Sequence, residues 1–162
     1  MLQDIAQQES RLAPQLPDRF AHWFAGRNWA PHPHQLDMLA TVQDGNDALL
    51  IAPTGAGKTL SGFLPSLIDL AGRGGLEKSF GGLHTLYISP LTGLGVDIAR
   101  NLEAPVAEMA LGIRCETRTG DTPNHKRQRQ RKRPPDILMT TPDSLSLLLT
   151  YAEAPRMFRR LR

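Results

Sequence analysis

The sequence predicts an α/β fold with a mostly parallel sheet, on three observations. Short apolar runs at Ala48–Ile51, Leu83–Ile88 and Asp136–Met139 have the length of strands buried on both faces. Between them apolar residues recur at helical spacing, so strand and helix alternate along the chain. The first run also leads straight into APTGAGKT, a glycine-rich turn followed by a helical pattern.

Each element has its own local reason. Pro17 and Asp18 open a helix carrying Phe20, Trp23 and Phe24, and Gly26 closes it. With Trp29, these make four of the nine aromatic residues; we expect them to bury the first helix, Trp29 being the exception. Pro33 suits the first turn of a second helix with Leu36, Leu39 and Val42 on one face, ending near Gly45. Behind the glycine-rich turn, Leu60, Phe63, Leu64, Leu67, Ile68 and Ala71 define a third helix, followed by a loop at Gly72–Gly75. Pro65 lies inside that pattern and should bend the helix or delay its regular part. Leu94–Met109 reads as a helix with apolar Ala99, Leu102, Val106 and Met109, kinked or split at Pro105. Arg114–Thr119 is a weaker strand alternating with charge, and Thr141 with Pro142 caps a last helix bearing Leu145, Leu148 and Leu149.

The composition, 40% hydrophobic and 22% charged, is that of an ordinary globular protein. It excludes collagen-like, disulfide-framework and membrane-spanning classes. Cys115 is the lone cysteine, so no internal disulfide or thiolate metal cluster is expected. The N-terminus lacks the basic and apolar regions of a secretory signal, which makes the cytoplasm the expected location. The charge is localised. Of 19 basic residues against 16 acidic, six fall in the eight positions Lys126–Arg133, leaving 13 against 16 elsewhere. A smaller basic cluster, four Arg in seven residues, lies at Arg156–Arg162.

Ala52, Pro53, Thr54, Gly55, Ala56, Gly57, Lys58 and Thr59 form a relaxed phosphate-binding loop with Ala at the first Gly position. Gly55 and Gly57 let backbone N–H groups curl around phosphate oxygens where a Cβ would obstruct them. Lys58 brings a point charge to the β and γ phosphates, Thr59 a hydroxyl to Mg²⁺, and the following helix N-terminus favours the anion. Lys58 and Thr59 are thus the catalytic candidates, and ATP with Mg²⁺ the expected cofactors. His32 and His34 are poor metal candidates, having no Cys partner and a proline between them.

Gln35 lies 23 residues before Lys58, and ISPLTGLGVDIARNL, TRTGDTP and TTPDSLSLLL follow in order. This set resembles the front of a superfamily 2 helicase of the large helicase-related family, most like its ligase-associated DEXH-box branch, from about Phe20 onward. The resemblance implies a RecA-like ATP-binding domain at 18–162 behind an N-terminal extension at 1–17. It implies that Gln35 reads the adenine edge, which a side-chain amide can do by donating and accepting. It also implies that Pro90, Leu91, Arg100, Gly120, Asp121, Thr122, Thr140, Thr141 and Pro142 contact nucleic-acid phosphates, a grip that does not read sequence. DNA is favoured over RNA as partner, with DNA-repair proteins such as a ligase beside it, and no membrane. Where the family has Lys-Ala-Leu-Ala, this chain has Thr92-Gly93-Leu94-Gly95, one positive charge fewer near the strand path.

An ATPase of this class needs an acidic pair on a later strand to hold Mg²⁺ and orient water. No Asp-Glu or Asp-Asp dipeptide occurs in the sequence. The resemblance places the DEXH strand just past Arg162, so the domain is expected to be incomplete, truncated before that Walker B strand, lacking the second RecA-like domain and inactive in ATP hydrolysis by itself. Unpaired sheet edges are expected with it. The alternatives are a non-catalytic nucleic-acid-binding module acting through the basic strip 126–133, and a small P-loop kinase, disfavoured by Gln35 and the TTPD motif. On a helix the six charges cannot share one side, so part of the strip must face solvent.

Overall fold

The computed structural model describes residues 16–73, 82–90 and 92–162; within 92–100 it describes the backbone and the side chain of Ile98. Residues 1–15 of the expected extension, the Gly72–Gly75 loop after residue 73, Leu91, and the side chains of Ala99 and Arg100 lie outside the described residues. The chain forms two compact units, residues 1–68 and 69–162.

The first unit starts with α1 (Asp18–Gly26), which follows Pro17 and has Asp18 in its first turn, where the helix dipole favours an acid. Phe20 and Phe24, one turn apart, are buried, while Trp29 is 52% exposed. The Arg27 guanidinium lies 5.1 Å from the Trp23 ring centre and 4.9 Å from that of Trp29. Phe20 and Phe24 are thus buried and Trp29 is the exception, as expected, while Trp23 is half-buried. Next, α2 (Pro33–Gln43) has proline at its start, and Gly45 ends the turn after it in the left-handed region at φ +78°.

The expected strand at Ala48–Ile51 does not form. A strand is held by hydrogen bonds to a neighbour, and no described strand pairs with this one. Its apolar side chains are accordingly uncovered, Leu49 and Ile51 at 86% exposure each. Then α3 (Lys58–Gly72) runs through Pro65 without interruption. The helix tolerates this proline although it removes a donor from the ladder.

The second unit holds β1 (Thr85–Ile88), α4 (Thr92–Glu108), β2 (Cys115–Arg118), α5 (Asn124–Lys132), β3 (Ile137–Thr140), α6 (Pro142–Leu149) and α7 (Ala154–Phe158). The strands form a parallel sheet in the order β1-β3-β2, with Ile88 and Arg118 both in register with Thr140. All four residues of β3 are buried, as a central parallel strand requires. Leu138 packs with Leu83, Leu148 and Met157, and Leu86, Tyr151 and Phe158 border this cluster. Ile137 and Met139 alternate to the opposite face, and α4, carrying buried Leu102, packs on β2 and β3, with buried Met109 just past its end. This helix continues through Pro105 and ends with Ala110 and Gly112 at φ +48° and +66°. Thr141 caps α6 as expected, its hydroxyl accepting from the Ser144 amide at 3.4 Å. Helix α7 has no counterpart in the sequence pattern. Among the described residues no helix is long and apolar enough to cross a membrane.

Within the second unit, which begins at Asp69 in the last turn of α3, a polar knot leads to the start of β1. The Asp69 carboxylate accepts from Arg73 at 2.7 Å and from His84 Nε2 at 2.8 Å, and His84 Nδ1 meets the Thr85 hydroxyl at 2.7 Å. Burial pushes the Asp69 carboxyl up, but the hydrogen bonds and charges of Arg73 and His84 outweigh it and leave the pKa below its ordinary 3.8. A depressed carboxyl contributes stability above its ordinary value and loses it as the pH falls through the folded value. Urea denaturation of Asp69→Asn from pH 7 to pH 3 should show less loss of stability on the acid side than the parent. An unchanged slope would remove Asp69 from the acid response.

Candidate nucleotide and nucleic-acid sites

Within the first unit, the glycine-rich loop is shaped by two left-handed glycines, Gly55 at φ +83° and Gly57 at φ +71°. These rotate the backbone so that the amides of Gly55, Gly57 and Lys58 donate to no acceptor among the described residues. Free N–H groups beside the N-terminus of α3 form a concave, partly positive surface suited to an anion. The Lys58 ammonium is folded into the loop, donating to the carbonyls of Ala52 at 2.8 Å and Pro53 at 2.6 Å. Carbonyls hold this charge less strongly than a phosphate would. Thr59, in the first turn of α3, is half-buried. A Cβ at Gly57 would lie 2.8 Å from Gln35 Nε2, so the Gln35 amide would have to move off the loop to admit it. Loop, lysine and helix end fit a polyphosphate.

The helix before the loop braces it. Gln35 is 2% exposed; its Oε1 accepts the His32 amide at 2.9 Å and its Nε2 donates to the Gly57 carbonyl at 3.4 Å. Both ends of the amide implied to read adenine are thus engaged, Oε1 in capping α2 and Nε2 in tying it to the loop. His34 adds a second tie, Nε2 donating to the Ala56 carbonyl at 2.8 Å, and its ring stacks on His32 at 5.2 Å. The sequence pointed to these histidines only as unpromising metal ligands. Contacts 22 residues apart carry no local pattern that would reveal such a brace.

Within the second unit, the parallel register delivers three loops to one end of the sheet: Ser89 and Pro90 after β1, Thr119–Thr122 after β2, Thr141 and Pro142 after β3. This is the carboxyl end of the strands, where open α/β sheets bind their ligands. The hydroxyls there are largely occupied. Thr140 Oγ1 donates to the Arg118 carbonyl at 2.8 Å, Thr141 Oγ1 to Ser144 Oγ at 3.1 Å, and Thr122 Oγ1 accepts the Thr119 amide at 2.9 Å. Gly120, Asp121, Pro90 and Pro142 are exposed there, and of these four Gly120 and Asp121 carry a backbone N–H. The α4 backbone begins at Thr92, with Gly93 and Gly95 inside its first turns.

The basic strip forms α5, and half its charge is used internally. Arg129 pairs with Glu116 at 2.8 Å, Arg131 lies 3.9 Å over the Tyr151 ring, and Arg127 donates into the Gly120–Thr122 loop. Buried Gln130 links the helix to Glu116 and to the Thr117 carbonyl. Lys132 and Arg133 face solvent, as six charges in eight require. Beneath the helix, Arg118 is 1% exposed and donates to the Arg127 carbonyl at 3.1 Å. Burial holds its guanidinium below the ordinary value. Burial, with Asp136 and Glu103 adding to it, pushes the Cys115 thiol up to about 12, so this cysteine is no nucleophile.

A glycine-rich cradle at a helix N-terminus, in a chain with a parallel α/β sheet, defines a P-loop nucleotide-binding protein of the RecA-like kind. The DEAD/DEAH box helicase family model matches residues 32–162. The chain belongs to that family. It is 43% identical over 140 residues, 80% of its length, to the Lhr helicase/probable uracil glycosylase of Mycolicibacterium smegmatis. It is 38% identical over 157 residues, 91% of its length, to the ATP-dependent helicase Lhr-Core protein 2 of Thermococcus barophilus. Among solved structures, Mycobacterium smegmatis helicase Lhr bound to ssDNA and AMP-PNP superposes with a TM-score of 0.81 at 36% identity over 93% of the chain. The chain spans 9% and 18% of the two curated relatives and 20% of that solved chain.

Two glycines test the loop geometry against each other. Gly57→Ala should cost about 1–3 kcal/mol in urea denaturation, through its left-handed φ and the clash with Gln35. Gly62→Ala, helical and with nothing within 4 Å of its Cβ, should stabilise by about 0.5–1 kcal/mol. Equal effects of the two substitutions would contradict the described loop.

Proposed function

We propose that this chain is the ATP-binding portion of an ATP-dependent helicase or translocase that acts on nucleic acid, with DNA preferred to RNA, in DNA repair. The supporting observation is the loop at Ala52–Thr59, where the Gly55, Gly57 and Lys58 amides donate to no acceptor among the described residues and the Lys58 ammonium is folded onto the Ala52 and Pro53 carbonyls. In this reading Lys58 moves from two carbonyls onto the β and γ phosphates of ATP, and Thr59 offers its hydroxyl to Mg²⁺. The bound metal neutralises charge on the phosphates. Gln35 sits where the α2 start meets the loop, so engaging adenine requires it to exchange its present partners. Residues 18–162 are read as one incomplete RecA-like domain, in the cytoplasm.

DNA is preferred because a solved relative is described as bound to ssDNA, and repair because another relative's name joins a helicase to a uracil glycosylase. A ligase partner rests on the branch resemblance alone. Pro90, Gly120, Asp121, Thr122, Thr140, Thr141 and Pro142, with Leu91 and Arg100, form the proposed nucleic-acid face. A binding module working through the basic strip is disfavoured, since Arg127, Arg129 and Arg131 already have partners within the chain.

The 162 residues contain no adjacent acidic pair to orient an attacking water. The purified chain should therefore bind ATP·Mg²⁺ without appreciable turnover, and Lys58→Ala should weaken binding about 10- to 100-fold, the value of a charge-assisted contact. Equilibrium titration and phosphate release measure both. ATP affinity indifferent to Lys58, or Lys58-dependent turnover, would overturn the reading.

A further inference from the structure

The loop after β2 is shaped by an arginine that lies outside the TRTGDTP motif. Arg127, in the first turn of α5, reaches back with its guanidinium fork to two carbonyls of the loop: Nε donates to Thr122 O at 2.6 Å and Nη2 to Gly120 O. Two further contacts close the turn, Thr119 N to Thr122 Oγ1 at 2.9 Å and Thr122 N to Thr119 O at 3.2 Å. The helix that carries the fork is anchored from below. Buried Arg118 donates to the Arg127 carbonyl, and Gln130 ties the same helix to β2 through Thr117 O and Glu116.

Drawing two carbonyls onto one cation has a consequence for the amides. The amides of Gly120 and Asp121 donate to no acceptor among the described residues, and both residues are exposed. A turn whose oxygens are held by a guanidinium and whose N–H groups are free is a nest for an anion. The planar fork matters, because an ammonium cannot hold two carbonyls at fixed separation in the same plane.

We infer that Arg127 is a positioning residue: it fixes the Gly120–Thr122 loop so that the backbone amides of Gly120 and Asp121 grip a phosphate of the bound strand. This rests on the reading of that loop as part of the nucleic-acid face. Arg127 acts through the loop and does not itself hold the phosphate. Arg129 on the same helix is not equivalent, since its guanidinium pairs with Glu116 on β2.

The test is fluorescence anisotropy of a labelled single-stranded oligodeoxynucleotide with the 162-residue chain, over a range of salt, with thermal unfolding of every variant. Arg127→Gln and Arg127→Lys should each weaken binding by about tenfold, because both lose the fork although the second keeps the charge. Arg129→Gln, which removes the same charge two residues along the helix, should change affinity less than twofold. The slope of log K against log salt should stay at the parent value in Arg127→Gln. A slope reduced by about 0.7, the value of one single-strand phosphate contact, would make Arg127 itself a phosphate ligand and overturn the positioning role. Parent-like binding by Arg127→Lys would also overturn it, as would equal weakening in Arg129→Gln. Should Arg127→Gln not fold, the Lys variant decides alone. A parent chain that does not bind the oligonucleotide refutes the nucleic-acid face itself, an outcome distinct from parent binding that ignores Arg127.

Discussion

The pairing of β3 with a strand on each side is the constraint on which the second unit depends. Ile137–Thr140 is buried throughout and hydrogen-bonds in parallel to both β1 and β2, so it fixes two registers at once. That double register sets Ile88, Arg118 and Thr140 side by side and brings the three following loops to one edge. The Thr140 hydroxyl reinforces the arrangement by donating to the Arg118 carbonyl. A β3 shifted by one residue would send Leu138 away from Leu83, Leu148 and Met157 and separate the loops together. Core packing and the shape of the candidate nucleic-acid face are therefore consequences of one strand.

The nucleotide loop is held differently. No described strand pairs with its leading segment, and its conformation comes from two left-handed glycines and from α2, whose Gln35 and His34 contact the loop carbonyls. Lys58 contributes too, by closing the loop on itself through Ala52 and Pro53. Phosphate would replace a pair of weak acceptors by a charged one, which supplies a physical reason for binding.

Legibility in the sequence followed how local each determinant is. The caps at Pro33 and Thr141, the glycines of the phosphate loop, and the continuous apolar runs of β1 and β3 depend on neighbouring residues, and the structure places them where the pattern does. Ala48–Ile51 has the same apolar signature as β3 yet forms no strand, because a strand also needs a partner, which composition cannot report. The partners of Gln35 and of the basic strip were hidden for the same reason. The Gln35 amide is engaged with His32 and Gly57, and Arg127, Arg129 and Arg131 have partners on or around α5. Long-range hydrogen bonds of this kind leave no periodicity. Helix α7 was invisible because five residues are too few for a helical pattern.

The most direct test of the whole account is amide chemical-shift mapping of the isotopically labelled chain with two ligands added separately. ATP·Mg²⁺ should perturb amides across residues 53–60, and a single-stranded oligodeoxynucleotide those around Pro90, Thr119–Thr122 and Thr141–Asp143. Two separate, compact sets of shifts at these places are the predicted result. Oligonucleotide shifts confined to Lys126–Arg133, with the three loops at the sheet's carboxyl end unmoved, would contradict it.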